Sequence, residues 1–167
     1  MTSSIRTAAT AGIVLLGLAL AGCASAAPEP AASDSPAAEA CEVSIVVDFG
    51  VLDEPSVEAC GSAGGAADVL AEGGVATEGT VDYGDQVVCR VNGLPSAEDP
   101  VTIEGQEPFT ESCQTFNSVA YWALWVKTAP DAEWEYAQEG VSTLQLADGQ
   151  SLGLVYTAGT DSIPPQG

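Results

Sequence analysis

Residues Cys41 to Gly50, CEVSIVVDFG, decide the fold: Val43, Ile45, Val47 and Phe49 alternate with Glu42, Ser44, Val46 and Asp48. A period of two sends one set to a buried face and the other to the opposite face, the pattern of a β-strand. Gly50 and Asp53-Glu54-Pro55 break the run, and Ser56 to Cys60 reads as the return strand of a hairpin. Gly64-Gly65 then opens a short helical pattern in which Ala66, Val69 and Leu70 share a face, closed by Gly73-Gly74. Further strands are predicted at about 75–80 and at 86–91 (QVVCRV), the second ended by the turn Asn92-Gly93. Residues 95–118, rich in Pro, Glu and Thr, read as a long loop. Val119 to Lys127 (VAYWALWVK) is a long apolar strand, turned back at 128–131 to pair with Glu133 to Gln138. Strands at 143–146 and 151–157 flank Ala147-Asp148-Gly149. A hairpin, a short helix and further antiparallel strands make an α+β domain with a dominant sheet. It is expected to span 41–158, with 159–167 as a disordered tail.

Four cysteines fall in this domain: Cys41, Cys60, Cys89 and Cys113. An even number in an exported domain implies two disulfides, for which three connectivities exist. Cys41 starts one strand and Cys60 ends the next, so the hairpin sets them opposite each other. The expected pairs are therefore Cys41–Cys60 and Cys89–Cys113, each stabilising by about 2–4 kcal/mol.

Upstream, MTSSIRTAAT carries one positive charge, Arg6, before an apolar run of eleven residues from Ala11 to Ala21. That run is too short for a membrane-spanning helix, which needs about 20. A charged start, a short apolar stretch and a small-residue boundary read as a signal peptide over 1–22. Leu20-Ala21-Gly22-Cys23 matches the bacterial lipobox, so Cys23 is the expected lipidation site and the membrane the expected partner through its acyl chains. Residues 24–40 are almost all Ala, Pro, Ser and acid and cannot bury enough surface to order themselves, so they read as a tether. The abundance of Ala and Gly points to a high-GC Gram-positive host, with the domain on the outer face of the cell membrane.

The chain has 24 acids against three Lys and Arg, a formal charge of −21, and past Cys23 the bases are Arg90 and Lys127. Nucleic acid is excluded as a partner, because phosphate recognition rests on Lys and Arg. With no histidine, Ser-His-Asp and Cys-His nucleophile systems are excluded and the usual zinc sites lack their main ligand. Asp82/Asp85 and Glu133/Glu135 are nominal carboxylate pairs of the kind that arise by chance among so many acids. The expectation is a protein that is not an enzyme, with no cofactor and no metal. All three tryptophans, Trp122, Trp125 and Trp134, lie with Tyr121 and Tyr136 in one window of sixteen residues. On a strand Tyr121 and Trp125 face one side and Trp122 the other, which predicts that some indole surface is left for a flat ligand or a partner. The alternative is that cross-strand aromatic pairs stabilise the hairpin.

Gly140-Val141-Ser142-Thr143-Leu144, Asp148-Gly149-Gln150 and Leu154-Val155-Tyr156 resemble the C-terminal domain of the cobalamin carriers transcobalamin and intrinsic factor. Tyr121-Trp122 is similar to the Tyr-Trp pair of that domain, Val87 to Gly93 to its strand ending in Ile-Asn-Gly, and Ala66 to Leu70 to its short helix. The resemblance covers roughly 43–157. It implies a β-grasp-like fold and binding of a soluble ligand, corrinoid-like or another small cofactor, in support of uptake. The carriers' helical barrel has no counterpart here, nor is there a histidine to ligate cobalt. Tyr121, Trp122, Trp125, Trp134 and Tyr136 are the candidate ligand-binding residues. The alternative is a lipoprotein that docks an envelope or transporter protein, or acts in the manner of a protease inhibitor, through the 95–118 loop.

Overall fold

The computed structural model describes residues 41–159 and 162–166. The signal peptide, Cys23 and the tether lie outside the described residues. The alternating stretch forms β1 (Val43–Asp48), which runs antiparallel to β2 (Val57–Gly61) with Ser44 opposite Cys60 and Val47 opposite Val57. A two-residue β3 (Gly64–Gly65) leads into α1 (Ala66–Glu72), and a hairpin of β4 (Thr77–Thr80) and β5 (Gly84–Val91) follows. After the long loop come β6 (Ala120–Lys127), β7 (Glu135–Tyr136), β8 (Gln145–Leu146) and β9 (Ser151–Ala158).

The main sheet has the order β2-β1-β9-β6-β7, while β3 pairs with β8 and β4 with β5 in two small ribbons. The expectation that all later strands are antiparallel is corrected at one place. β9 pairs antiparallel with β6 but parallel with β1, Ile45 lying opposite Leu152 and Val47 opposite Leu154. Among the described residues, a mixed sheet with one α-helix makes an α+β fold. β7 is also shorter than the predicted 133–138 strand, touching β6 only at Trp125 and Val126.

Position in the sheet explains the burial patterns. β1 alternates buried and more exposed residues, whereas β9 is buried continuously from Leu152 to Thr157 because it lies at the centre with both faces covered. On one face Val43, Ile45, Val47, Leu152, Leu154, Tyr156 and Trp122 form the main core with Val69 and Leu70 of α1. Seven residues are too few for a stable isolated helix, so α1 is held by this packing. Each large aliphatic side chain fully buried there contributes about 1.5–3 kcal/mol. On the opposite face Ala123, Trp125 and Val155 form a smaller cluster with Tyr121 and Trp134. Residues 162–166, expected to be disordered, help to cover that face: Pro165 is buried, and a Cβ added at Gly153 would overlap its ring and lie 3.1 Å from the Trp134 ring.

Cys41 is bonded to Cys60 and Cys89 to Cys113, with Cα separations of 5.4 and 5.5 Å. The 95–118 segment is tied down further by Arg90, which is buried and donates from Nε to the Pro95 carbonyl (2.9 Å), from Nη2 to the Glu111 carbonyl (2.6 Å) and from Nη1 to Glu78 Oε1 (2.9 Å). Glu111 is itself buried, and its carboxylate accepts from the Cys113 amide and from Asn117 Nδ2, both at 3.0 Å. A bridge between Val101 and Phe109 folds the segment on itself, and Val101, Ile103 and Phe109 pack on the main core.

Candidate functional site

The five nominated aromatic residues do not form one platform. Trp122 is in the main core, edge-on to Phe49 at 5.5 Å and tilted against Tyr156 at 5.3 Å, with Nε1 donating to the Leu94 carbonyl at 3.2 Å. Trp125 is buried on the other face, and its Nε1 has no hydrogen-bond partner. Trp134 is half-buried over that same cluster and carries Lys127 Nζ 4.9 Å from its ring centroid. Trp134 keeps part of its indole accessible, and the burial of Trp122 and Trp125 has a physical reason. Both faces of the sheet are covered, one by α1 and the main core, the other by Trp134 and the 162–166 segment.

Tyr121 and Tyr136 keep accessible surface, Tyr136 being 44% exposed. They meet in an open cleft of about 250 Å³ at the edge of the main sheet. The cleft arises because β7 leaves β6 early. The Ala137 amide donates to the Leu124 carbonyl at 2.9 Å, after which the chain diverges and the Tyr121–Leu124 edge faces Gln86–Val88 of β5. Phe116, at the end of the long loop, closes one side with its ring centroid 5.1 Å from Tyr121. Gly140 closes the other end, where a Cβ would run into the Gln86 backbone. Val88, Leu124, Val141 and Leu154 supply apolar wall, and Gln86, Gln138 and Glu139 supply the polar rim.

No Lys or Arg lines the cleft. Arg90 is spent on the long loop and Lys127 sits over Trp134. Burial, and after it the neighbouring Tyr121 hydroxyl, push the Tyr136 phenol above its ordinary value, so it stays neutral in the physiological range. Phe116, Gln86, Gln138 and Glu139 were not among the nominated residues. Phe116 carried one weak signal, an aromatic in the long loop, shared with Phe109; the other three carried none.

The nominal carboxylate pairs stay at the surface. Asp82 and Asp85 are exposed around the β4–β5 turn, where Asp82 accepts from Gln114 Nε2 at 3.0 Å, and Glu133 and Glu135 are exposed around β7. Among the described residues, Cys89, Glu111 and Cys113 are grouped closely enough to hold a metal, but the two sulfurs are joined to each other and offer no thiolate. Beside them is a cavity of about 10 Å³ lined by Thr80, Glu111, Asn117 and Tyr156, close to the volume of one water. The Tyr156 hydroxyl is buried without a hydrogen-bond partner, and burial first, Glu111 second, raise its pKa above the ordinary tyrosine range.

No known family, no curated protein and no solved structure matches the chain. Fold and site together define an α+β domain, braced by two disulfides, with an aromatic cleft at the edge of its main sheet. Two disulfides are the mark of an oxidising, extracytoplasmic compartment. Among the described residues, no helix is long and apolar enough to cross a membrane.

Proposed function

We propose that this protein is an extracytoplasmic lipoprotein, anchored through lipid on Cys23, whose 41–158 domain binds a small ligand without catalysis. The observation that carries the reading is the cleft: half-exposed Tyr121 and Tyr136 with Phe116 over an apolar wall and a thin polar rim. Concave, mostly apolar sites with a few placed polar groups are where small molecules bind. We further propose a β-grasp fold. It is supported by the hairpin, the following helix, and the order β2-β1-β9-β6-β7 with β1 and β9 parallel at the centre. The likeness to the cobalamin-carrier domain rests on short motifs, of which Tyr121, Trp122, Gly140, Val141 and Leu154 border the cleft while Ala66–Leu70 and Asp148–Gln150 do not.

The volume of about 250 Å³ lies below the ~300–1,000 Å³ usual for drug-sized ligands, so the cleft suits a small molecule or one edge of a larger one such as a corrinoid. Docking of an envelope or transporter protein through residues 95–118 has weaker support, because Val101, Ile103 and Phe109 of that segment are turned inward. Intrinsic fluorescence of the full chain, titrated with cobinamide and a panel of small metabolites, tests the reading. A saturable change that Tyr136→Leu abolishes is expected. Silence across the panel from a folded protein with both disulfides formed would transfer support to protein docking. Membrane fractionation checks the anchor: Cys23→Ala is expected to release the protein into the soluble fraction.

A further inference from the structure

Resting on the ligand-binding reading above, we propose that the cleft takes a small organic cation of the quaternary-ammonium class. Four aromatic side chains, Phe116, Tyr121, Trp122 and Tyr136, border a space that no Lys or Arg enters, and Glu139 stands at its rim. Aromatic faces carry partial negative charge and attract a cation held within about 6 Å of the ring centroid, most strongly where water is excluded. The molecule uses this contact elsewhere, in Lys127 over Trp134 at 4.9 Å. The wider field has the same sign: 24 acids against three Lys and Arg draw cations toward the surface and repel anions.

The lining chooses among cations. A divalent metal wants several oxygen ligands at once, and the cleft offers one carboxylate, two amides and two phenols among apolar walls. A primary ammonium needs acceptors for three N–H groups, whereas a quaternary ammonium has no N–H to satisfy and spreads its charge over methyl groups that pack on rings. Tyr136 is held as a neutral phenol by its surroundings, so it brings no phenolate to the cleft.

Calorimetric titration of the full chain with choline, tetramethylammonium, the neutral choline isostere 3,3-dimethyl-1-butanol, and cobinamide tests this. Choline is expected to bind at least about tenfold more tightly than its isostere, the scale of one good cation–π site. Tyr136→Leu is expected to remove that preference while Tyr136→Phe keeps it. Should Tyr136→Leu disturb the near-ultraviolet circular dichroism, Glu139→Gln serves instead, weakening choline and leaving the isostere unchanged. Equal affinity for choline and the isostere, or binding of cobinamide without choline, overturns the cation class and leaves a ligand site standing. A folded chain that binds none of the four overturns the cation class, and silence across the wider metabolite panel as well overturns the ligand reading.

Discussion

The two faces of the main sheet are built from the same strand in different ways. On the helix side, Trp122 is enclosed by Phe49 and Tyr156 and its indole N–H is satisfied by the Leu94 carbonyl at 3.2 Å. On the opposite side, Trp125 is equally hidden but its N–H has no partner, and its cover is Trp134 with the 162–166 segment instead of a regular element. The first face has the dense packing that sets stability, and the cleft opens at its edge, walled by its own Val88, Leu124, Val141 and Leu154; the second is a thin lid. Stability and the cleft thus share residues of β6, since Trp122 and Leu124 belong to both.

The sharpest way to break the comparison is truncation of each indole. Trp122→Ala is expected to cost about 3–5 kcal/mol in denaturant unfolding, as large aromatic deletions in a core do. Trp125→Ala should cost clearly less, because it also removes a buried N–H that lacks a partner. Equal costs would mean the second face is as tightly built as the first. Next in size is Gly153→Ala, which forces a methyl into Pro165 and Trp134 and should cost about 1–3 kcal/mol. Deleting residues 160–167 should relieve much of that cost, and an unchanged cost would show that the tail does not lie on this face.

The smallest effect concerns Tyr156, whose hydroxyl is buried without a partner. Its phenol pKa is raised in the folded protein, so the folded state favours the neutral form. The stability tied to that phenol is full below about pH 10, the unfolded value, and is lost as pH rises from there toward the folded one. Tyr156→Phe should leave stability near pH 7 within about 1 kcal/mol and flatten the alkaline decline, read from melting temperature between pH 8 and 11.

Hydrophobic periodicity made much of the fold readable. Val43, Ile45, Val47 and Phe49 announced β1, and Ala66, Val69 and Leu70 announced the buried face of α1. The pairing of Cys41 with Cys60 followed from the hairpin that separates them. Periodicity could not reveal that β9 runs parallel to β1, since strand direction depends on where the whole chain has travelled by residue 151. Nor could it show that Pro165 returns to cover Gly153, because a short Pro-rich tail has the same composition whether docked or free. The site was legible in part. Tyr121 and Tyr136 were readable as aromatic residues of the right segment, but Trp122 and Trp125 proved to be interior once both faces were covered. Phe116, Gln86 and Glu139 reach the cleft from three separate stretches of chain, and no local pattern links them.

The central position of β9 governs when the domain can form. Residues 43–48 and 120–127 have no contact in the main sheet until residues 151–158 come between them. A growing chain emerging N-terminus first therefore holds two unjoined edges until residue 158 has been made, and long-range strand pairing of this kind is slow. The sheet closes when β9 slots between the two strands that have been waiting.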